Sequence, residues 1–171
     1  MKIVLIGFMG SGKSRVGQLL AKKLDWFHYD TDEMITKQVG TSIADIINSQ
    51  GEAAFREMEK KAMALVGLMD QCVISTGGGA PLDPVNMENL RRNGEVVLLK
   101  VSPETVLKRI KNIASRPLID PKDPLSSIRT RLKEREQVYA QADHIIESDL
   151  LSPEEIVSKI LQMIPISPSP K

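Results

Sequence analysis

The stretch Gly7-Phe8-Met9-Gly10-Ser11-Gly12-Lys13-Ser14 decides how this chain is built. It fills the spacing G-x-x-x-x-G-K-[ST], follows the apolar run Ile3-Val4-Leu5-Ile6, and leads into apolar residues at helical spacing, Val16, Leu19, Leu20 and Leu24. Strand, glycine loop and helix in that order form an anion cradle. The loop turns its backbone N–H groups inward and the helix adds the positive end of its dipole. The amides around Gly10, Ser11 and Gly12 are expected to hold phosphates, with Lys13 reaching the β- and γ-phosphates and Ser14 ligating Mg²⁺. A nucleoside triphosphate is the expected ligand; the bland alternative is a chance glycine-rich turn.

Working outward, the 171 residues suit one domain. Lys and Arg total 23 against 22 Asp and Glu, a net charge of +1, which argues against a polynucleotide substrate. The single cysteine, Cys72, sits in the apolar run Cys72-Val73-Ile74 and reads as a buried thiol, so no disulfide within the chain is possible. Met1-Lys2-Ile3 enters the first strand at once, and no apolar run approaches the ~20 residues of a membrane span. A cytoplasmic protein without a membrane partner is expected.

Five short apolar runs alternate with helical patterns: 3–6, 26–29, 73–75, 96–101 and 144–146. This alternation predicts an α/β fold with a parallel sheet covered on both faces. Ligands of such sheets sit beyond the carboxyl ends of the strands. After the second run stands Asp30-Thr31-Asp32-Glu33, carboxylates suited to a metal-bound water and a substrate hydroxyl, or else to capping a helix N-terminus. His28, inside the strand, reads as packed. A helix opening near Thr41-Ser42 should break at Gly51, and a second should carry Phe55, Met58, Ala62, Leu65 and Val66 on its core stripe. Arg56 and Glu59 lie off that stripe as an i,i+3 pair.

The third run ends in Thr76-Gly77-Gly78-Gly79, which removes side chains where backbone amides can approach a ligand, or else forms a flexible loop. A helix spans about 84–92. Ser102-Pro103 opens another, which carries Lys108, Arg109 and Lys111. Around Ser115-Arg116-Pro117 three prolines in eight residues forbid a continuous helix, so 112–124 is expected to be a lid that brings Arg116 onto phosphates, with a structural loop as the alternative. A long helix follows from Leu125. Ser152-Pro153-Glu154-Glu155 is a capping box that opens the final helix, and the Pro-rich tail 165–171 is expected to be disordered.

In this order, Gly7 to Ser14, Asp30-Thr31-Asp32, Gly51-Glu52-Ala53-Ala54-Phe55-Arg56-Glu57-Met58-Glu59, Ser75-Thr76-Gly77-Gly78-Gly79, Arg116-Pro117-Leu118 and Arg135-Glu136-Gln137-Val138-Tyr139 resemble the shikimate kinases of the nucleoside-monophosphate-kinase-like group. The resemblance covers nearly the whole chain. It implies a three-layer α/β/α P-loop kinase fold with a five-stranded parallel sheet, one domain over 1–164, and transfer of the ATP γ-phosphoryl group to the 3-hydroxyl of shikimate in aromatic amino-acid biosynthesis. It implies Lys13, Asp32 and Arg116 as catalytic and Arg109 as the residue stacked on adenine. Arg56 and Arg135 would bind the shikimate carboxylate, Asp32 its hydroxyls, Gly77, Gly78 and Gly79 would line the pocket, and Glu59 would orient Arg56. Mg²⁺ would meet Ser14 directly and Asp30 through water. Many members carry Arg or Asn near the last helix where this chain reads Ser148-Asp149-Leu150-Leu151-Ser152-Pro153, so adenine contacts there are expected from backbone. A monomer is expected. The alternatives are another hydroxy-acid kinase, such as one for gluconate, or a non-catalytic relative.

Overall fold

The computed structural model describes residues 1–110, 112–113 and 116–166. The expectations placed on Lys111, Ser115 and the tail positions 167–171 lie outside the described residues. The chain runs β1 (Lys2–Ile6), α1 (Lys13–Leu24), β2 (Phe27–Asp30), α2 (Thr31–Val39), α3 (Ile43–Gly67), β3 (Cys72–Ser75), a 3-10 turn (Ala80–Leu82), α4 (Pro84–Arg91), β4 (Gly94–Lys100), α5 (Pro103–Arg109), α6 (Pro124–Tyr139), β5 (His144–Glu147) and α7 (Pro153–Met163). All pairings are parallel, in the order β2-β3-β1-β4-β5. The expected five-stranded α/β architecture is present.

Alternation along the strands divides the core in two. Ile3, Leu5, Val73, Val97 and Leu99 face α1 and α7, whereas Val4, Ile6, Ile74, Val96 and Leu98 pack with residues of α3, α4 and α6. Both faces are therefore dry, which is why the central strands read as continuous apolar runs. Cys72 is fully buried, as expected. Lys2 is also fully buried, its Nζ donating to the Gly67 carbonyl at 2.6 Å, a cation set against the negative end of α3.

Some boundaries differ from the sequence expectations, for local reasons. Trp26 is not in β2: Asp25 ends α1 at φ 56°, and the Trp26 N–H closes back on the Ala21 carbonyl. Pairing with Lys2 and Ile3 draws the polar Gly94 and Glu95 into β4. Apolar spacing does not announce α2, because Ile35 is its only fully buried apolar side chain. The break at Gly51 is real: φ 87° and ψ 162° kink the helix named α3 at that residue. Among the described residues no helix is long and apolar enough to cross a membrane.

Candidate active site

The carboxyl ends of β1, β2 and β3 open into one cleft, and the loop after β1 forms its floor. Among the described residues six helices carry a side-chain cap on their first turn: Asp30, Ser42, Asp83, Ser102, Asp123 and Ser152. At α1 the capping position is Gly12, with φ 95° and no side chain, so the first-turn amides remain open to an anion. Lys13 is nearly buried and its Nζ donates to the carbonyls of Gly7 at 2.8 Å and Phe8 at 2.9 Å. Ser11, also buried, accepts a longer contact from the same ammonium at 3.4 Å. Burial pushes the Lys13 pKa down to about 8, against the pull of Asp32 and Asp30.

Asp30 caps α2, as one of its two expected roles requires, and also meets Ser14. Its Oδ1 accepts from the amides of Asp32 and Glu33, capping α2, while its Oδ2 accepts from the Ser14 hydroxyl at 2.5 Å. A hydroxyl and a carboxylate oxygen meeting at the mouth of the phosphate loop are hard donors that fit Mg²⁺, an ion that takes few protein ligands and completes its shell with water and phosphate oxygens. Arg109 closes the nucleotide side. Its guanidinium donates to the carbonyls of Gly10 at 3.2 Å, Ser148 at 3.1 Å and Asp149 at 3.3 Å, tying the phosphate loop to the 148–153 segment.

Beside the phosphate loop lies a cavity of about 120 Å³ lined by Asp32, Arg56, Glu59, Gly77, Gly78, Gly79, Arg116 and Arg135 among others. That is small beside the roughly 300–1,000 Å³ of drug-sized ligand sites, and it suits a compact molecule and not a nucleoside. Its polar groups are asymmetric. Asp32 Oδ1 is buried with no hydrogen-bond partner among the described residues, and burial together with repulsion from Asp30 raises the Asp32 pKa. Such an atom is ready to accept a proton or a hydroxyl donor. In the same cavity Arg56 is held by Glu59 at 2.8 Å and Glu52 at 2.7 Å, and Arg135 lies 4.9 Å above the Phe8 ring. Three guanidiniums, of Arg56, Arg116 and Arg135, and the carboxylates of Asp32 and Glu59 in one small cavity match a small acid that also carries hydroxyls.

The triple glycine is there because side chains approach it closely. A Cβ on Gly77 would stand 2.6 Å from Asp32 Oδ1, and one on Gly79 would stand 2.6 Å from Arg56 Nη1. The loop is less open than expected at its first residue: the Gly77 N–H already donates to Thr31 Oγ1 at 3.1 Å, while those of Gly78 and Gly79 have no acceptor among the described residues.

Comparison with known proteins fits this geometry. The family model described as shikimate kinase matches residues 9–165. The chain belongs to the shikimate kinase family. A shikimate kinase of Moorella thermoacetica is 49% identical over 147 residues, covering 86% of this chain and 84% of its own. One from Caldicellulosiruptor saccharolyticus is 44% identical over 161 residues, 94% of each chain. The structure of a shikimate kinase from Acinetobacter baumannii in complex with shikimate superposes with a TM-score of 0.91 at 34% identity, covering 95% of this chain and 91% of that one.

Seen as a shikimate kinase, the cleft has supports to which the sequence reading gave no role in the site. Ser75 Oγ donates to the Lys13 carbonyl at 3.0 Å and lies 2.9 Å from His28 Nε2. A hydroxyl carries one proton, so His28 donates here from Nε2. The histidine is packed, as expected, and it steadies the start of α1. Asn86 donates to the Ala80 carbonyl at 3.0 Å and holds the 3-10 turn after the glycines. Tyr139 donates to the Gly78 carbonyl at 2.7 Å. Local spacing did not show these roles: Ser75, His28 and Tyr139 reach partners 47 to 62 positions away, and Asn86 bonds back onto the turn that precedes its own helix.

Proposed function

We propose that this kinase transfers the γ-phosphoryl group of ATP to the 3-hydroxyl of shikimate, giving 3-phosphoshikimate and ADP. The observation that carries this reading is that Asp32, whose buried Oδ1 has no hydrogen-bond partner among the described residues, lines one small cavity together with the Arg56 and Arg135 guanidiniums. Arg56 and Arg135 take the acceptor's carboxylate, charge-assisted contacts worth about 1.5–3 kcal/mol each. Glu59 fixes Arg56, the free amides of Gly78 and Gly79 line the ring, and Gly77 leaves room for Asp32. The acceptor oxygen attacks the γ-phosphorus, the bond from that phosphorus to the ADP oxygen breaks, and the acceptor proton passes to Asp32. Lys13 and Arg116 stabilise the charge that spreads over the transferring oxygens.

Ser14 would hold Mg²⁺ directly and Asp30 through water, and the ion would supply neutralisation of phosphate charge. Amides of Gly10, Ser11 and Gly12 hold the phosphates, and Arg109 stacks on the adenine. Residues 1–164 act as one catalytic unit and as a cytoplasmic monomer, and 112–124 serve as the lid that carries Arg116. ADP release in a coupled assay with Mg-ATP, comparing shikimate, gluconate, quinate and no acceptor, tests the reading. Turnover with shikimate alone is expected. Turnover with gluconate and not shikimate would assign Asp32, Arg56 and Arg135 to another hydroxy acid, and ATP binding without any turnover would mark a non-catalytic relative.

A further inference from the structure

We infer that Tyr139 is a positioning residue for the acceptor: its hydroxyl pins the Gly78 carbonyl and thereby holds the Gly79 N–H facing the bound acid. This rests on the acceptor site proposed above. Tyr139 lies one turn beyond Arg135 on α6, with its ring buried. Its hydroxyl reaches the Gly78 oxygen at 2.7 Å, and Arg135 Nη1 reaches the same oxygen at 3.0 Å. A carbonyl oxygen has two lone pairs, and α6 supplies a donor to each. The peptide between Gly78 and Gly79 is planar and trans, so fixing its C=O toward α6 fixes its N–H in the opposite direction.

That N–H has no acceptor among the described residues, and Gly79 lies against the Arg56 guanidinium and lines the cavity. The Ala80 N–H closes a turn on the Gly77 carbonyl around these two glycines, but glycine at both central positions lets the peptide between them flip within such a turn. Donors from α6 add a hold on that peptide which the turn does not supply. Arg135 divides its several donors between this oxygen and the acceptor's carboxylate, whereas the Tyr139 hydroxyl has a single proton, which goes to Gly78. Burial raises its pKa, so the phenol stays protonated and keeps donating through the working range.

Tyr139→Phe removes the hydroxyl and keeps the ring. The expected result is a rise of about five- to tenfold in KM for shikimate, the loss of one buried hydrogen bond, with KM for ATP within twofold of wild type. A merely structural role would lower kcat or disturb both substrates together. An unchanged shikimate KM, or an equal rise in both KM values, would overturn the inference. Wild-type protein assayed in parallel separates the two readings: no turnover of shikimate by wild type fails the acceptor assignment, whereas an active wild type with an unaffected Phe variant fails Tyr139 alone.

Discussion

Lys13 shows what burial does to a single charge. Its ammonium is removed from water, offset by three oxygens of its own loop and by two nearby aspartates, and its pKa falls to about 8. The protonated form is the one that attracts phosphate. Affinity for ATP in the free enzyme should therefore be full below pH 8 and fall as pH rises through it, approaching tenfold per unit. Asp32 gives the opposite limb, since its pKa is raised by burial and by Asp30 and it must be deprotonated to take a proton. Activity should fall as pH drops through that raised value, making the profile of kcat/KM bell-shaped. Titrating ATP affinity against pH in wild type and Lys13→Arg checks this, because arginine stays charged; an alkaline limb that survives in the arginine variant would place its origin elsewhere. At this scale the sequence pointed to Lys13 and Ser14 by the phosphate-loop spacing and to Asp30 and Asp32 by their place after the second strand. It gave no partners for Tyr139, Ser75 and His28, which meet atoms brought near by other elements: the Gly78 and Lys13 carbonyls and, for His28, the Ser75 hydroxyl.

At the scale of elements, the kink in α3 sets where the acceptor-binding face begins. Gly51 adopts φ 87° and ψ 162°, a region essentially reserved for glycine, and four residues later the chain presents Phe55 to the core and Arg56 to the cavity. Gly51→Ala has open space for its methyl group but the wrong backbone. It is expected to cost about 1–3 kcal/mol of stability. It should also weaken shikimate binding more than ATP binding, because Arg56 and Glu59 ride on the segment after the kink. Denaturant unfolding together with the two KM values checks this, and a variant as stable as wild type would show that the kink is not under backbone constraint. The glycine was legible as a breaker in the sequence. The helix Thr31–Val39 was legible only through its Asp30 cap, because a helix with one fully buried apolar side chain leaves little periodicity to read.

For the whole molecule, the cleft joins parts that are far apart in the chain: the phosphate loop, the α2 start, the α3 face, the glycine loop, the 112–124 segment and the end of α6. Arg116 is exposed yet lines the cavity, and the turn around it is closed by bonds from Arg116 N to the Ile113 carbonyl and from Ile119 N to the Arg116 carbonyl. Buried Ile119 anchors that turn to the core on the α6 side. Arg116→Ala should therefore keep the fold and ATP affinity while kcat falls on the order of 10³-fold. An unchanged kcat would remove the lid arginine from the chemistry. Alternating apolar runs, a phosphate-loop spacing and capping residues are local signals, so the sequence alone determined the α/β class, the nucleotide end of the cleft and most helix starts. Which amides stay free, which carboxylate oxygen lacks a partner and which side chains hold the glycine loop depend on contacts across 46 to 61 positions, such as Gly77 with Thr31 and Tyr139 with Gly78. Only the tertiary structure decided those, because hydrogen bonding and burial are set by neighbours in space, and local spacing carries no record of them.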